Sequence, residues 1–523
     1  MFASVWGMAL TGLQAHLIRV EVDVSNGLPN FDVVGLPAAA VREARDRVRS
    51  SLRNSGYEFP LQRVTVNLAP ADLRKEGSGF DLPIAMGILA ATGQIEVSLL
   101  APYVFVGELS LEGMLRSVPG ILTMAAALTQ TEVPGGQISG YRLSLIVPPG
   151  NLAEARLVSA VTSASAETLS QLGNALAQGC GFLDEVTLQE DVHPAAEGAQ
   201  SVDWADIKGQ RQAKRALEIA AAGGHNVLLV GPPGSGKTLL AKAYPGILPP
   251  LSGPESMEVT QLYSVARMLP ANGKLVSERP FRHPHHSASL SGILGGGKEV
   301  RPGEISLANH GVLFLDELPE FPRTVLEALR QPLEDRCITV TRQKGSTDYP
   351  ADLSLVASMN PCPCGFLGDP GRTCSCTPLQ IQRYRARISG PLLDRFDLQV
   401  EVPRLSLAEL KQETGGEGSQ AVRQRVIRAR ELQWERLGEG RTNAQMTAQE
   451  TQRLCRLDQG AEELLQRAFR LHRLSARAYD RILRVARSVA DLEAAADISA
   501  GHLAEALQYR MYELRGDNDL TRL

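Results

Sequence analysis

Residues 226–238 read Asn-Val-Leu-Leu-Val-Gly-Pro-Pro-Gly-Ser-Gly-Lys-Thr. The apolar run up to Val230 predicts a buried strand, and it enters a complete Gly-x-x-x-x-Gly-Lys-Thr octet without a break. Phosphate binding requires this order of residues. Gly231, Gly234 and Gly236 let the backbone turn tightly and approach an anion, with Pro232, Pro233 and Ser235 between them. Successive N–H groups then point inward, and the following helix presents its positive end. Lys237 supplies a mobile charge for the β and γ oxygens of a nucleoside triphosphate, and Thr238 a hydroxyl for Mg²⁺. Leu239 to Ala243 continues as a helix, so strand, loop and helix together predict an α/β unit with a parallel sheet.

The rest of the chain sets limits on this reading. At 523 residues it predicts several domains, three by pattern. A composition of 43% hydrophobic and 21% charged residues is that of a globular protein. The net charge of −4 provides no global basic field, so any contact with DNA must come from local basic patches. No apolar run is long enough to span a membrane, and the opening Met-Phe-Ala-Ser-Val-Trp-Gly lacks a signal-like core. Four of the seven cysteines fall within fifteen residues, which predicts a cytoplasmic protein with a local metal or redox site rather than a disulfide framework.

Residues 1–188 mix short strands and helices. Val64, Val66 and Leu68 alternate as in a half-buried strand. Val41, Ala44, Val48 and Leu52 share one helical face, and Asp81 to Thr92 is apolar and helix-like. Glu190 to Val202 reads as a linker. Residues 203–403 alternate strands and helices around the phosphate loop. Lys411 to Gln420 reads as a flexible loop, and 421–523 as helix.

Turning a nucleotide over needs more than a cradle. Gly311 to Glu317 is an apolar strand ending in two carboxylates, which predicts Asp316 beside the loop on the Mg²⁺ shell and Glu317 polarising the attacking water. Leu355 to Asn360 is another strand, whose terminal amide would orient that water; alone, Asn360 reads equally as a turn before Pro361. Leu392 to Asp397 sets Arg395 between apolar anchors, as an arginine finger or a surface salt bridge. Ser475-Ala-Arg477 offers a further arginine.

This ordered set resembles the AAA+ ATPases, with Asp203 to Gln210 similar to their segment near the adenine. The resemblance implies that Lys237 and Thr238 form Walker A, Asp316 and Glu317 Walker B, and Asn360 sensor 1. It makes Arg395 the finger and Arg477 sensor 2, with Arg481 the rival for that role. A finger acting on a neighbour's nucleotide implies a ring, usually a hexamer.

Arg279 to Ser289, Gly292 to Lys298 and Pro302 to Ser306 resemble a helix-2 insert. Cys337 to Ser346 reads as a β-hairpin with a basic tip, similar to the pre-sensor 1 hairpin of the clade that holds magnesium chelatase and the MCM helicases. Arg342 and Lys344 are the candidates for gripping a DNA backbone, against the plainer reading of a solvated tip. Gly35-Leu-Pro37, Asn67 to Asp72, Gly77 to Pro83, Pro284-His-His286, Pro302 to Phe321, Asn360 to Gly365 and Arg387 to Asp394 resemble the YifB/ComM family, over nearly the whole length. That resemblance implies a Lon-like α+β N-terminal domain, an AAA+ core and a C-terminal helical lid. It also implies a hexameric helicase that promotes branch migration when transforming DNA integrates. Single-stranded or branched DNA is then the expected partner.

Cys362-Pro-Cys364 and Cys374-Ser-Cys376 supply four thiolates for Zn²⁺, although Cys-x-Cys is tighter than the usual spacing; two redox-labile pairs or reduced thiols are the alternatives. His283, His285 and His286 carry no metal assignment, since Pro284 disfavours a helical ligand pair. Lys75-Glu-Gly-Ser78 is similar to the nucleophile region of Lon proteases. Yet Lys75 is the only lysine in residues 1–199, where the family's dyad lysine lies well downstream, so a non-proteolytic scaffold is expected. Val422 to Arg436 predicts an arginine-rich helix facing DNA, nucleotide, a neighbour or solvent, and Ser475 to Leu492 a lid over the nucleotide. A DNA translocase is the leading reading; a chelatase-type motor acting on a protein partner comes second and an ATP-dependent protease last.

Overall fold

A computed structural model describes residues 1–75, 77–130, 143–178, 202–269, 273–297, 301–342, 345–369, 371–406, 409, 416–472 and 475–510. They form two compact units. One comprises Met1–Ala196 with Ser256–Val276, the other Glu197–Glu255 with Ser277–Leu523. Most of the linker read at 190–202, and 411–415 of the loop that follows the core, lie outside the described residues.

The first unit is built on a seven-stranded sheet. Its strands are β1 (Phe2–Thr11), β2 (Gln14–Ser25), β3 (Asn30–Val34), β4 (Arg63–Ala69), β5 (Tyr103–Phe105), β6 (Ser144–Val147) and β7 (Ser163–Ser165), in the order β3-β4-β2-β1-β5-β6-β7. β2 runs antiparallel to β1 and β4, and the other pairs are parallel. The alternation in β4 does what it predicts: Val64, Val66 and Leu68 are all buried. The helix Ala39–Asn54 buries Val41, Ala44, Val48 and Leu52, while the helix Asp81–Ala91 is apolar all round and buried along its whole length.

The second unit has a five-stranded parallel sheet made of β8 (Val227–Val230), β9 (Phe281–Arg282), β10 (Val312–Leu315), β13 (Ser354–Met359) and β14 (Leu398–Glu401). Their order is β9-β10-β13-β8-β14. β8 and β10 are continuous apolar runs because helices and loops cover both faces of such a sheet. β11 (Cys337–Arg342) and β12 (Gly345–Pro350) form the expected separate antiparallel hairpin, closing at Arg342 opposite Gly345. Lys344 and the side chain of Arg342 lie outside the described residues.

Two expectations need correction here. The segment expected to open the helix-2 insert starts instead as the edge strand β9. Phe281 stacks on Phe314 of β10, and Arg279 is held by the carbonyls of Pro249 and His310, so both belong to the core. The helix Ser419–Leu437 buries Val422, Val426, Ala429 and Gln433 as its pattern predicts. Its arginines, however, are largely engaged within the unit and not turned toward a nucleic acid. Arg423 donates to Gly246, Arg430 to Ala221, Arg425 pairs with Glu218, and Arg436 pairs with Asp491. The helices Gln459–His472, Ala476–Leu492 and Ala500–Gln508 complete the C-terminal part. Among the described residues no helix is long and apolar enough to cross a membrane.

Candidate active site

Parallel strands deliver their C-terminal ends to one edge, and here three of them converge. Val230 pairs with Met359, which sets Gly231 level with Asn360. Leu315 pairs with Ala357, which sets Asp316 level with Ser358. Lys237 opens the helix Lys237–Ala243, and its buried ammonium donates to the carbonyls of Gly231 (2.8 Å) and Pro232 (2.9 Å) and to Asn360 Oδ1 (3.4 Å). Burial lowers the Lys237 pKa, while Asp316 and Glu317 oppose the shift.

The loop needs its glycines. A Cβ on Gly231 would lie 2.1 Å from the carbonyl oxygen of Val402, and Gly234 and Gly236 hold φ of +77° and +94°. Gln210 braces the loop from outside, donating to the carbonyls of Ser235 (3.0 Å) and Pro403 (2.7 Å).

Thr238 Oγ1 donates to Asp316 Oδ2 at 2.9 Å. The other carboxylate oxygen accepts from the Glu317 N–H (3.1 Å) and from the Ser358 hydroxyl. The hydroxyl and carboxylate oxygens fit Mg²⁺: an octahedral ion with bonds near 2.1 Å holds adjacent oxygens about 3.0 Å apart. Glu317 turns off the strand with φ +54°, and its exposed carboxylate lies 3.8 Å from His286 Nδ1. The His283 ring packs 4.9 Å from Phe314, and burial lowers its pKa, which favours the neutral form.

Sequence reasoning missed Ser358, the bracing role of Gln210 and the place of His286 beside Glu317. The signal for Ser358 was present: it stands two residues before Asn360 on a strand, hence on the same face.

The predicted arginines gather at the opposite edge. Asn226, just before β8, donates to the Arg395 carbonyl at 3.1 Å. β8 then has four residues to run before the phosphate loop, about 13 Å at ~3.3 Å per residue. Arg395 and Arg481 therefore do not reach the loop of their own chain. Both line a cavity of about 540 Å³ together with Glu334, Arg336, Asp397 and Arg441. Arg395 is 9% exposed and pairs with Glu334, but its Nε has no hydrogen-bond partner among the described residues. Arg481 lies 4.0 Å from Asp394 and 3.8 Å from Asp397, and its Nη1 makes no hydrogen bond among the described residues. Arg477 is exposed one turn earlier on the same helix. His225 fixes this edge to that helix, with Nδ1 3.2 Å from Asp397 and Nε2 2.8 Å from Ser488 Oγ.

The four cysteines do meet. Cys362 and Cys364 sulfurs are 3.4 Å apart, Cys362 and Cys374 3.7 Å, Cys364 and Cys374 3.6 Å, and all four lie within 4.8 Å of one another. A tetrahedral Zn²⁺ with ~2.3 Å bonds spaces its sulfurs about 3.8 Å apart, so the set fits that ion. Backbone N–H groups of Cys364 and Cys376 point at the sulfurs of Cys376 and Cys374. For Cys364, burial acts upward but the Phe366 and Ser375 N–H groups outweigh it, bringing the thiol down to about 6. Burial and the neighbouring sulfurs push Cys374 up to about 12.

In the first unit Ser78 Oγ donates to Glu108, and the buried Lys75 donates to the Pro70 carbonyl. The two side chains do not form a nucleophile–base pair.

Comparison with known proteins identifies the family. The family described as magnesium chelatase, subunit ChlI, matches residues 203–410; subunit ChlI of Mg-chelatase matches 20–136, and the ChlI C-terminal family 416–510. The chain is 46% identical to competence protein ComM of Haemophilus influenzae, over 97% of both chains. It is likewise 46% identical to protein YifB of Salmonella typhimurium, over 97% of both chains. A Holliday junction branch migration complex subunit, RuvB of Prochlorococcus marinus, is 27% identical over 55% of this chain and 63% of its own length.

Proposed function

The chain belongs to the YifB/ComM family of magnesium chelatase-like AAA+ ATPases, and from that premise we propose that it is a hexameric, ATP-driven DNA translocase of the cytoplasm. Its work on this reading is branch migration during homologous recombination and natural transformation. One observation carries it: a near full-length likeness to a competence protein, on a chain whose phosphate cradle and arginine pair stand at opposite edges of one sheet. The shorter likeness to a branch migration subunit supports the same substrate class.

In the proposed mechanism the N–H groups of Gly234 to Thr238 cradle the phosphates, and Lys237 moves its charge onto the β and γ oxygens. Thr238 and Asp316 hold Mg²⁺, which when bound neutralises charge on the phosphates. Ser358 fixes the Asp316 carboxylate, Glu317 takes the proton of the attacking water, and Asn360 orients that water. Arg395 completes the neighbouring copy's site together with an arginine of the lid helix, Arg477 or its rival Arg481. Arg342, where the hairpin closes, and Lys344 contact the DNA backbone. Cys362, Cys364, Cys374 and Cys376 hold Zn²⁺. The division into 1–188, 203–403 and 421–523 belongs to the same proposal.

The test is ATP-dependent unwinding and branch migration on forked and four-way DNA, with Lys237→Ala and Glu317→Gln as controls. Activity in the wild type alone supports the reading; no DNA binding, no stimulation of hydrolysis by DNA and no unwinding would reject it. A second reading, a motor that remodels a protein partner, is favoured by the three magnesium chelatase matches, and it predicts hydrolysis indifferent to DNA.

A further inference from the structure

The four-cysteine loop does not hang free of the phosphate site. It leaves β13 immediately after Asn360, and its turn at Gly365 returns against the phosphate loop. A Cβ added at Gly365 would sit 2.7 Å from Pro233 Cδ and 3.8 Å from Asn360 Cγ. The turn is closed by the Gly365 N–H donating to the carbonyl of the buried Cys362 (3.0 Å). From the other side the helix Pro378–Arg385, which starts two residues after Cys376, braces the same strand end. Tyr384 shares a hydrogen bond with the Asn360 backbone, and Arg385 donates to the Pro361 carbonyl (3.3 Å). Asn360 itself meets Lys237. The segment from 360 to 385 is thus a short strap anchored at both ends on the group that orients the water. Its middle, with Gly365, Gly368 and Gly371, is tied by the four sulfurs, by Arg372 lying 5.0 Å over the Phe366 ring, and by Asp369, whose carboxylate accepts from the Gly371 N–H (2.8 Å) and lies 4.0 Å from Arg404.

We infer that Zn²⁺ bound by Cys362, Cys364, Cys374 and Cys376 locks this strap, and that the locked strap positions Asn360 and the phosphate loop through the contact of Gly365 with Pro233. The inference rests on the zinc reading above and adds a role to it: Gly365 is a positioning residue, and metal occupancy sets the hydrolysis rate. A knot that served folding alone would leave hydrolysis unchanged in any variant that kept its metal and its stability. The lock predicts a loss of rate with the metal still bound.

Two glycines of the strap separate these cases. Gly365 (φ +83°) and Gly368 (φ +79°) both hold left-handed backbone, so alanine strains each alike. Only at Gly365 does the new methyl meet Pro233; at Gly368 nothing among the described residues lies within 4 Å. The experiment measures, on the full chain, zinc per protomer by elemental analysis, thermal midpoint, ATP affinity and steady-state hydrolysis for the wild type, Gly365→Ala, Gly368→Ala and the Cys374→Ser/Cys376→Ser double variant. It adds wild type stripped with a chelator and reloaded with ZnCl₂. The expected result is one zinc in the wild type and in both glycine variants. Gly365→Ala then loses about tenfold in kcat, as sub-ångström misplacement of a reacting group does. Its ATP affinity stays within about twofold, which separates positioning from binding, and Gly368→Ala keeps wild-type kcat. Stripped protein loses rate and regains it with Zn²⁺. Equal kcat in the two glycine variants, with zinc in place, overturns the lock and leaves the zinc reading standing, as does a double variant that lacks zinc but hydrolyses at the wild-type rate. Wild type that takes up no zinc overturns both.

Discussion

The two edges of the five-stranded parallel sheet are built from opposite chemistry. Where β8, β10 and β13 end, the chain presents Gly231, Asp316 and Asn360, with Lys237 and Thr238 just beyond: a cradle for phosphate and metal. Where β8, β13 and β14 begin, it presents Asn226, Leu353 and Arg395 around an arginine-lined cavity. A triphosphate about to break needs both, the cradle on the β-phosphate side and guanidinium charge on the γ-phosphate. On the proposed reading one chain owns both halves but holds them at opposite ends of β8, about 13 Å of strand apart, so it does not apply them to the same nucleotide. On the proposed reading the halves meet between copies, a head-to-tail contact that closes into a ring.

The most damaging test of that comparison is Arg395→Ala. Loss of a finger costs on the order of 10³ in kcat, and ATP binding should survive. Mixing decides whether the finger acts in trans. Arg395→Ala chains keep an intact cradle and Lys237→Ala chains an intact finger, so mixed rings should recover hydrolysis that neither variant shows alone. Mixtures as inactive as their components would break the two-edge reading.

Glu317→Gln tests the cradle edge. If Glu317 is the base as proposed, the change should cost about 10² to 10³ in kcat, the scale of general-base contributions, and leave ATP bound, since Lys237, Thr238 and Asp316 keep their contacts. A variant that raised KM while sparing kcat would remove Glu317 from the chemical step.

A smaller effect sharpens the arginine edge. Arg481 lines the cavity with its Nη1 4.0 Å from Asp394, while Arg477 stands exposed a turn away. Arg481→Ala should lower kcat roughly tenfold, within the range for losing one charged contact in the transition state, and Arg477→Ala less. The reverse order would assign the sensor role to Arg477 and not to its rival.

The cradle edge was far more legible in the sequence than the arginine edge, and the reason is physical. A phosphate loop is local: its glycines, lysine and threonine act on their own stretch of backbone, so eight residues carry the message. Asp316, Glu317 and Asn360 were legible because each ends an apolar run, and a run of that kind is a buried parallel strand. Ser358 was hidden because its role depends on register: β13 lies between β8 and β10, and nothing in the order of the chain states this. Gln210 was quoted only as the end of a segment, since its partners are carbonyls that sequence does not display. The helix Ser419–Leu437 left its arginines open between DNA, nucleotide, a neighbour and solvent for a related reason. A row of arginines looks like a surface for nucleic acid, yet Arg423 and Arg430 satisfy backbone carbonyls of Gly246 and Ala221, remote in sequence. In the first unit periodicity sufficed for β4 and for the helix Ala39–Asn54, because burial follows period whatever the topology.

The smallest expected effect asks whether the chemistry is confined to the two edges of that sheet. Ser78 stands three residues after Lys75, in a stretch similar to a protease nucleophile region. A base must lie within about 3 Å of the hydroxyl it activates. Here the Ser78 hydroxyl is turned to Glu108, and the Lys75 ammonium is buried against the Pro70 carbonyl. Burial lowers the Lys75 pKa, which alone would suit a base; the hydrogen-bond geometry denies it the target. Ser78→Ala should therefore leave ATP hydrolysis and DNA unwinding within about twofold of wild type, as a small substitution away from the reacting groups does. The chain should also fail to react with a fluorophosphonate serine probe. Labelling that Ser78→Ala abolishes would place a second catalytic centre in the first unit and end the confinement of chemistry to the sheet.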